Sequence, residues 1–429
     1  MRSIASLPVA ILPMLCACSP PPAEAVLDID QLAGEYLFLE LSMGTHDQDH
    51  VDAYFGPDSI KSNAVEAQLT LDTIQERSAQ LSAALENIET VSDDMLQARV
   101  AGLLSRLRAL HTRIAINKGE FVSFDEESLR LFGSQAPHHD AAHFTAIIEQ
   151  VDALLPGDQP LSERVEAFNN QFAIPPQNLA TVFEAAMAEC RQRTLQHIDL
   201  PEGESFTIEY VTDKPWSGYN WYQGNAQSLI QVNTDLPIYI SRAVDLGCHE
   251  GYPGHHTFNA LLEKNILKAK GWTEWSLYPL FSPQSLIAEG SGNYGIDLAF
   301  PGEERVQFEK DVLFPLAGLD ASKADQYYRL GALLAQLNYA GNEAARRYLN
   351  GEASREEAID WLKTYALSSD ARAEQRTRFM DAYRSYVINY NHGKDMVADY
   401  VERDGANEAE RWARFEALLS SPMLPADLN

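Results

Sequence analysis

Apolar residues recur at three- and four-residue spacing along most of this chain, the period of helices with one buried stripe. From Ile29 to about Lys118 the pattern holds in stretches such as Met95 to Leu104, with Ser92-Asp93-Asp94 as an N-cap and Asn117-Lys118-Gly119 as a stop. His46 to Pro57 interrupts it as a loop ending in turn residues. Residues 120 to 200 read as four more helices, divided by Pro137, Pro156-Gly157 and Pro175-Pro176. After Pro201-Glu202-Gly203 the period changes. Phe206 to Val211 alternates like a strand and Leu229 to Asn233 reads as a second, with an aromatic, turn-rich stretch from Trp216 to Asn225 between them. Most of those aromatics read as core and hairpin residues, and Asn225 is the polar position there to test for substrate contact. Helical spacing then returns over Ile238 to Gly251, His256 to Lys270 and residues 283 to 299. It continues from Glu303 to about Leu418, with breaks at Pro315, Gly351 and Gly393. The pattern predicts a mainly α protein with a small antiparallel β-sheet, divided into a helical region over 29–204 and a second region over 205–429.

The 62 acidic and 33 basic residues give a formal net charge of −29, which argues against nucleic acid or an anionic membrane surface as partner. The N-terminus reads as an export signal, with Arg2 followed by a mostly apolar run from Ile4 to Leu15. That run is shorter than the roughly 20 residues a membrane-spanning helix needs. Leu15-Cys16-Ala17-Cys18 is similar to a bacterial lipoprotein box. It predicts a signal peptide over 1–18, a lipid anchor on Cys18, a tether over 19–28 and a periplasmic location; the alternative is an ordinary secretory signal cleaved near Ala23 to Ala25. Past Cys18 only Cys190 and Cys248 remain, so the chain is not a disulfide scaffold. Cys248 reads as a small buried residue.

The chemistry concentrates in Cys248-His249-Glu250-Gly251-Tyr252-Pro253-Gly254-His255-His256. A zinc hydrolase needs neutral imidazole ligands, a carboxylate that takes a proton from water, and an open coordination position. His249-Glu250 matches the opening of H-E-x-x-H, in which histidines four apart share one helical face. Pro253 breaks that pattern. In an unbroken helix His255 would lie about 9 Å of rise beyond His249 and His256 roughly 10.5 Å, too far to share an ion. Pro253-Gly254 allows a distorted helix to bring one of them back. Spacing alone leaves His255 and His256 both open; the distortion favours His255, with His256 then supporting the ligands or donating to the transition state. Elsewhere, His139 and His143 form an i, i+4 pair beside His138, but without a neighbouring general base they read as structural.

The whole string resembles the H-E-x-x-P-G-H-H signature of the bacterial family called domain of unknown function 885, assigned to the thermolysin-like (gluzincin) metallopeptidases. Ala288-Glu289-Gly290-Ser291-Gly292-Asn293-Tyr294 is similar to that family's E-G-W-A-L-Y block, with Ser291 and Gly292 in place of its tryptophan and alanine. Tyr390-Asn391-His392-Gly393 resembles its Y-x-x-G near the C-terminus. The likeness spans roughly residues 205 to 400. It implies a zincin-like catalytic region in 205–429 and Glu289 as third metal ligand. It further implies an oxyanion donor from a later helix, with Tyr390 first and Arg384 and His392 as the other candidates.

The resulting expectation is an exported zinc-dependent hydrolase acting on a peptide or small amide. Zn2+ is held by His249, His255 and Glu289, a water fills the fourth position and Glu250 is the general base. The alternative is a non-catalytic metal- or peptide-binding lipoprotein on the same scaffold, suggested by the altered residues after Glu289.

Overall fold

The computed structural model describes residues 28–88, 93–214 and 216–429. Cys18 and the apolar N-terminal run lie outside them. Helices dominate, with one two-stranded and one three-stranded sheet. Among the described residues no helix is long and apolar enough to cross a membrane.

The N-terminal helices form where the spacing places them. Asp94–Asn117 is the longest, capped by the Asp93 side chain on the Leu96 amide at 3.0 Å and followed by Gly119 at φ +82. It packs with Ile29–Met43 and Leu71–Glu86 around a core that includes Tyr36, Leu81, Leu107 and Ile114. Its opposite face carries Arg99, Arg106 and Arg113 at seven-residue intervals, which return to one side of a helix. All three are buried. Arg99 pairs with Glu274 at 2.7 Å and lies 4.8 Å over Trp272; Arg106 lies 4.0 Å over Trp275; Arg113 pairs with Asp47 at 2.5 Å and lies 3.5 Å over Phe281. Guanidinium planes stacked on aromatics, with Arg99 and Arg113 answered by carboxylates and Arg106 donating to Gln284 at 3.2 Å, dock the N-terminal helices against the segment just before the Glu289 helix. The largest core cluster runs from Phe144 through Ile230 and Tyr294 to Leu428, so packing continues across the junction at 204 and 205.

Several local expectations are corrected. The loop from His46 to Pro57 contains a strand, Val51–Tyr54, paired antiparallel with Leu277–Pro279. The aromatic stretch is itself a strand, Gly218–Gly224. The three-stranded sheet is mixed: Gln227–Asn233 lies at its centre, parallel to Ser205–Val211 and antiparallel to Gly218–Gly224. Pro315 sits inside the short helix Phe314–Ala317, and the stop falls at Gly318 with φ +70. Cys248 is buried as expected, but it is also joined to Cys190 in a disulfide with Cα atoms 5.5 Å apart. The bridge spans 58 residues, worth about 4 kcal/mol of unfolded-chain entropy. It ties the helix Leu179–Thr194 to the segment carrying His249.

Gly393 is not a break. It lies within the helix Ile388–Glu402, where that helix crosses Pro283–Ala299. A Cβ on Gly290 would stand 2.4 Å from the Gly393 carbonyl oxygen, and one on Gly393 would stand 2.8 Å from that of Leu286. The two backbones touch because neither glycine has a side chain, and this sets the depth at which Glu289 meets Tyr386, in the turn Arg384–Val387 just before the later helix.

The contact gives a prediction with a built-in control. Gly290→Ala forces backbone apart and should lower stability by about 1–3 kcal/mol. Gly34→Ala, in the helix Ile29–Met43 with no atom within 4 Å of the added Cβ, should raise it by about 0.5–1 kcal/mol. Urea unfolding of both variants measures the two signs.

Candidate metal centre

His249 and Glu250 occupy the wide-turned segment Gly247–Gly251, which continues the helix Ser241–Leu246. The chain then reverses through Tyr252, a cis Pro253 and Gly254, and resumes as the helix His255–Leu262. A Cβ on Gly254 would lie 1.9 Å from the His249 carbonyl oxygen, so glycine alone fits there. The Gly254 amide donates to the Cys248 carbonyl at 3.0 Å. This reversal replaces the rise of a continuous helix and sets the His249 and His255 rings 4.6 Å apart at 82°.

Glu289 enters from the helix Pro283–Ala299. Its Oε2 lies 3.2 Å from His249 Nε2 and 3.8 Å from His255 Nε2, and one ligand atom from each residue falls within 4.8 Å of the others. Tetrahedral zinc with bonds of about 2.0–2.1 Å separates its donors by about 3.3 Å. Glu289 Oε2 is buried and makes no hydrogen bond, while Oε1 accepts one from the Tyr386 hydroxyl at 2.7 Å. A buried, unbonded carboxylate oxygen beside two imidazoles is a donor set that fits a divalent cation.

Glu250 Oε2 is likewise buried without a hydrogen bond. Burial pushes the Glu250 carboxyl up to about 7; His249 opposes the shift and Glu289 adds to it. Burial, with His249 adding to it, lowers His255 to about 4, which keeps it the neutral ligand form. Burial also opposes charge on His249, but the carboxylates of Glu289 and Glu250 outweigh it and hold His249 above its ordinary value. Glu289 is held below the carboxylate range, the two histidines outweighing its burial. Glycines clear the space: a Cβ on Gly218 would stand 2.7 Å from Glu250 Oε1, and one on Gly292 would stand 2.9 Å from the His249 ring.

These groups line a cavity of about 1700 Å³ together with Tyr219, Asn220, Arg242, Tyr386 and Tyr390. Its wall includes the strand Gly218–Gly224, which is an edge of its sheet. The Tyr390 ring is 38% exposed onto the cavity and packs against Tyr386 at 5.8 Å. Enclosure away from bulk water, then the charges of Glu289 and Glu250, raises its hydroxyl well above the usual range.

The other sequence candidates lie elsewhere. His256 is fully buried and points to the opposite side of its helix, with Nδ1 2.8 Å from Ser228 Oγ and Nε2 3.1 Å from Glu204 Oε2. It fastens the helix to the sheet and touches none of the three converging residues. Asn225 is a turn residue at φ +54 whose amide donates to Glu263 at 2.9 Å. Arg384, at φ +52, pairs with the fully buried Glu127 at 2.7 Å. His392 faces Ser134 Oγ at 2.7 Å, because two residues beyond Tyr390 is the far side of a helix. His138 pairs with Asp125 at 2.9 Å, and His139 stacks on His143 at 4.1 Å.

Four residues at the site escaped sequence reasoning. Tyr386 shares a helical face with Tyr390, a spacing of four that was there to be read. Asn220 donates to the Glu250 carbonyl at 2.6 Å, five residues before the asparagine singled out. Arg242 lies seven residues before His249. Asp52, from the strand Val51–Tyr54, accepts from the Tyr219 hydroxyl at 3.0 Å, and burial pushes its carboxyl up to about 7. No local signal marks it.

No protein-family model matches the sequence, and no curated protein matches it. Among solved structures the chain is similar to a candidate lipoprotein from Colwellia psychrerythraea at 13% identity and a TM-score of 0.47, covering 83% of this chain and 71% of that one. It is also similar to an M32 carboxypeptidase from Deinococcus radiodurans R1 at 12% identity and a TM-score of 0.39, covering 94% of each chain. At these values neither neighbour's activity transfers to this chain.

Asp52 yields a signed pH prediction for metal-stripped protein. Its carboxyl loses its proton near the ordinary aspartate value of 3.8 when unfolded and at about 7 when folded. The unfolded chain therefore releases the proton first, and the residue's contribution to stability is lost as pH rises from about 4 to 7. Asn keeps the acceptor for Tyr219 and cannot ionise. The urea midpoint of Asp52→Asn should accordingly gain on wild type across that window, and the gap should stop widening above it.

Proposed function

We propose that this protein is an exported zinc-dependent hydrolase, a metallopeptidase of the domain of unknown function 885 kind. The observation that carries the reading is the convergence of His249, His255 and the unbonded Glu289 Oε2 on one point beside the buried Glu250 carboxylate.

In this reading His249, His255 and Glu289 hold the ion. When bound, zinc supplies Lewis acidity that polarises a carbonyl and acidifies water. Glu250 takes the proton from the attacking water and returns it to the leaving amine, a task suited to a carboxyl poised near neutrality. Tyr386 orients Glu289 through its hydroxyl, as a partner to a ligand does. Tyr390 donates its hydroxyl to the oxygen that becomes negative, and its raised pKa keeps it protonated for that role. The edge strand Gly218–Gly224 offers backbone groups for an extended peptide, and Asn220 fixes the turn that carries Glu250. The Cys190–Cys248 disulfide supports a location outside the reducing cytoplasm, in agreement with the signal-like N-terminus and the lipid anchor proposed on Cys18.

Metal analysis and turnover test the reading together. Purified protein should carry close to one zinc per chain, and His249→Ala and Glu289→Ala should each lose it. Glu250→Gln should keep the zinc while hydrolysis of a peptide library falls on the order of 10²- to 10⁴-fold. A Glu250→Gln variant that hydrolyses as well as wild type, or zinc retained by both ligand variants, would overturn it.

A further inference from the structure

The helix Phe124–Phe132, in the N-terminal region, sends one carboxylate to the turn Arg384–Val387 that carries Tyr386. Glu127 is fully buried, and both its oxygens are committed to two consecutive residues of that turn. Oε2 accepts from Arg384 Nε at 2.8 Å and pairs with Arg384 Nη2 at 2.7 Å. Oε1 accepts from the Ser385 amide at 3.1 Å and from the Ser385 hydroxyl at 2.7 Å. The next residue is Tyr386, whose hydroxyl donates to Glu289 Oε1 at 2.7 Å. Three consecutive residues thus join a carboxylate of the N-terminal region to a carboxylate of the metal centre.

The backbone of that turn does not hold itself. Arg384 sits at φ +52 and ψ −123, a conformation that L side chains rarely adopt, and such a residue persists only where its surroundings impose it. Those surroundings come from the N-terminal region. Glu127 grips the guanidinium, Phe121 lies under it with the ring centre 4.5 Å away, and Phe132 meets the Tyr386 ring edge to face at 5.6 Å. A buried carboxylate is costly to keep unless its charge is paired and its lone pairs are filled. Glu127 meets both conditions through Arg384 and Ser385 together, so a shift of Tyr386 pulls on both residues that Glu127 holds.

We infer that Glu127 is a positioning residue for the metal centre: it fixes the turn Arg384–Val387 so that the Tyr386 hydroxyl orients Glu289 toward the ion. The inference rests on the metal-binding part of the proposed function and is independent of hydrolysis. It adds to the centre a residue from outside 205–429, the region that carries the ligands themselves. Asn220 and the disulfide hold the histidine side of the site, and Glu127 does the same for its carboxylate side. Groups that orient a ligand from beyond it govern metal affinity, with losses of about 10- to 100-fold when one is removed.

Zinc affinity of the full-length chain, by competition with a chromophoric chelator, is measured beside urea unfolding of the metal-stripped protein. Tyr386→Phe should weaken zinc binding on the order of 10- to 100-fold, and Glu127→Gln, which removes the charge at constant size, by about 10-fold. The double variant should bind no more weakly than Tyr386→Phe alone, because residues that act in series do not add. Ser385→Ala, which keeps the ion pair, should weaken zinc in the same direction and likewise add nothing to Tyr386→Phe; it carries the test if Glu127→Gln does not fold. Glu274→Gln is the control. It removes another buried carboxylate, paired with Arg99 at 2.7 Å across the same two regions, and should lower stability while leaving zinc affinity unchanged. Wild-type affinity in both Glu127→Gln and Ser385→Ala, affinity unmoved by Tyr386→Phe, additive losses in the double variants, or an equal loss in Glu274→Gln would each overturn the inference and leave the hydrolase reading standing. A wild-type chain that binds zinc but hydrolyses no peptide refutes the hydrolase alone, and one that binds no zinc refutes both.

Discussion

The contact between Gly254 and the His249 carbonyl is the constraint on which the rest of the site depends. An α-helix spreads residues along its axis, and two histidines six positions apart cannot reach one ion from it. Here the chain leaves the helix just after Glu250, doubles back within three residues and passes so close to itself that a Cβ would sit 1.9 Å from an oxygen. Contacts on both sides of that point fix the local geometry. The disulfide at Cys248 fixes the incoming segment to a neighbouring helix, and Asn220 binds the Glu250 carbonyl. His256, clamped between Ser228 and Glu204, fastens the outgoing helix. Of two adjacent histidines, one faces the cavity and the other anchors the scaffold, because one residue on a helix turns the side chain by about 100°.

A second close contact sets the other half of the site. The crossing at Gly290 and Gly393 brings Glu289 and Tyr386 within hydrogen-bonding distance across two helices. A larger residue at either glycine would separate them by an amount comparable to a hydrogen bond's tolerance. The glycine beside the ligand glutamate and the glycine after Tyr390 are thus one feature seen from two sides. Buried charges then hold neighbouring elements in place. Glu127 pairs with Arg384 and accepts from the Ser385 amide at 3.1 Å, seating the turn just before Tyr386.

What could be read in the sequence is what local physics decides. Helix Pro283–Ala299 begins and ends where its spacing predicts, and Asp93 caps its helix as a short polar residue before an apolar period should. The convergence of His249, His255 and Glu289 was reachable through motif resemblance, and Pro253-Gly254 supplied the physical reason for a distortion. The misreadings share one cause. The resemblance implies an oxyanion donor of Tyr, His or Arg type from a later helix, which admits Arg384 and His392 beside Tyr390, but residue type and order do not say which side of the chain faces the cavity. The turn-rich, hairpin reading of Trp216 to Asn225 makes Asn225 the polar position to test; with Gly218–Gly224 a strand, Asn220 lines the cavity and Asn225 belongs to the turn. The central position of Gln227–Asn233, the Cys190–Cys248 bridge, the arginine row on Trp272, Trp275 and Phe281, and Asp52 all depend on contacts distant in sequence. Periodicity carries no information about them.

The cavity keeps the acidic balance of the whole chain, with ten carboxylates lining it against seven basic side chains, and distance decides which of these charges a ligand feels. At physiological salt, exposed charges are screened beyond about 8 Å, so most of the net −29 does not reach the cavity interior. Inside, where water is limited, nearby charges act at far lower effective dielectric and a few residues dominate. There Glu289 and Asp52 each add to the burial that raises Glu250 to about 7, and a divalent cation held by His249, His255 and Glu289 would oppose them. Arg242, on the helix that leads into His249, opposes the same shift. The proton affinity of Glu250 is thus set by a handful of groups around the cavity, while the acidic surface contributes little to it.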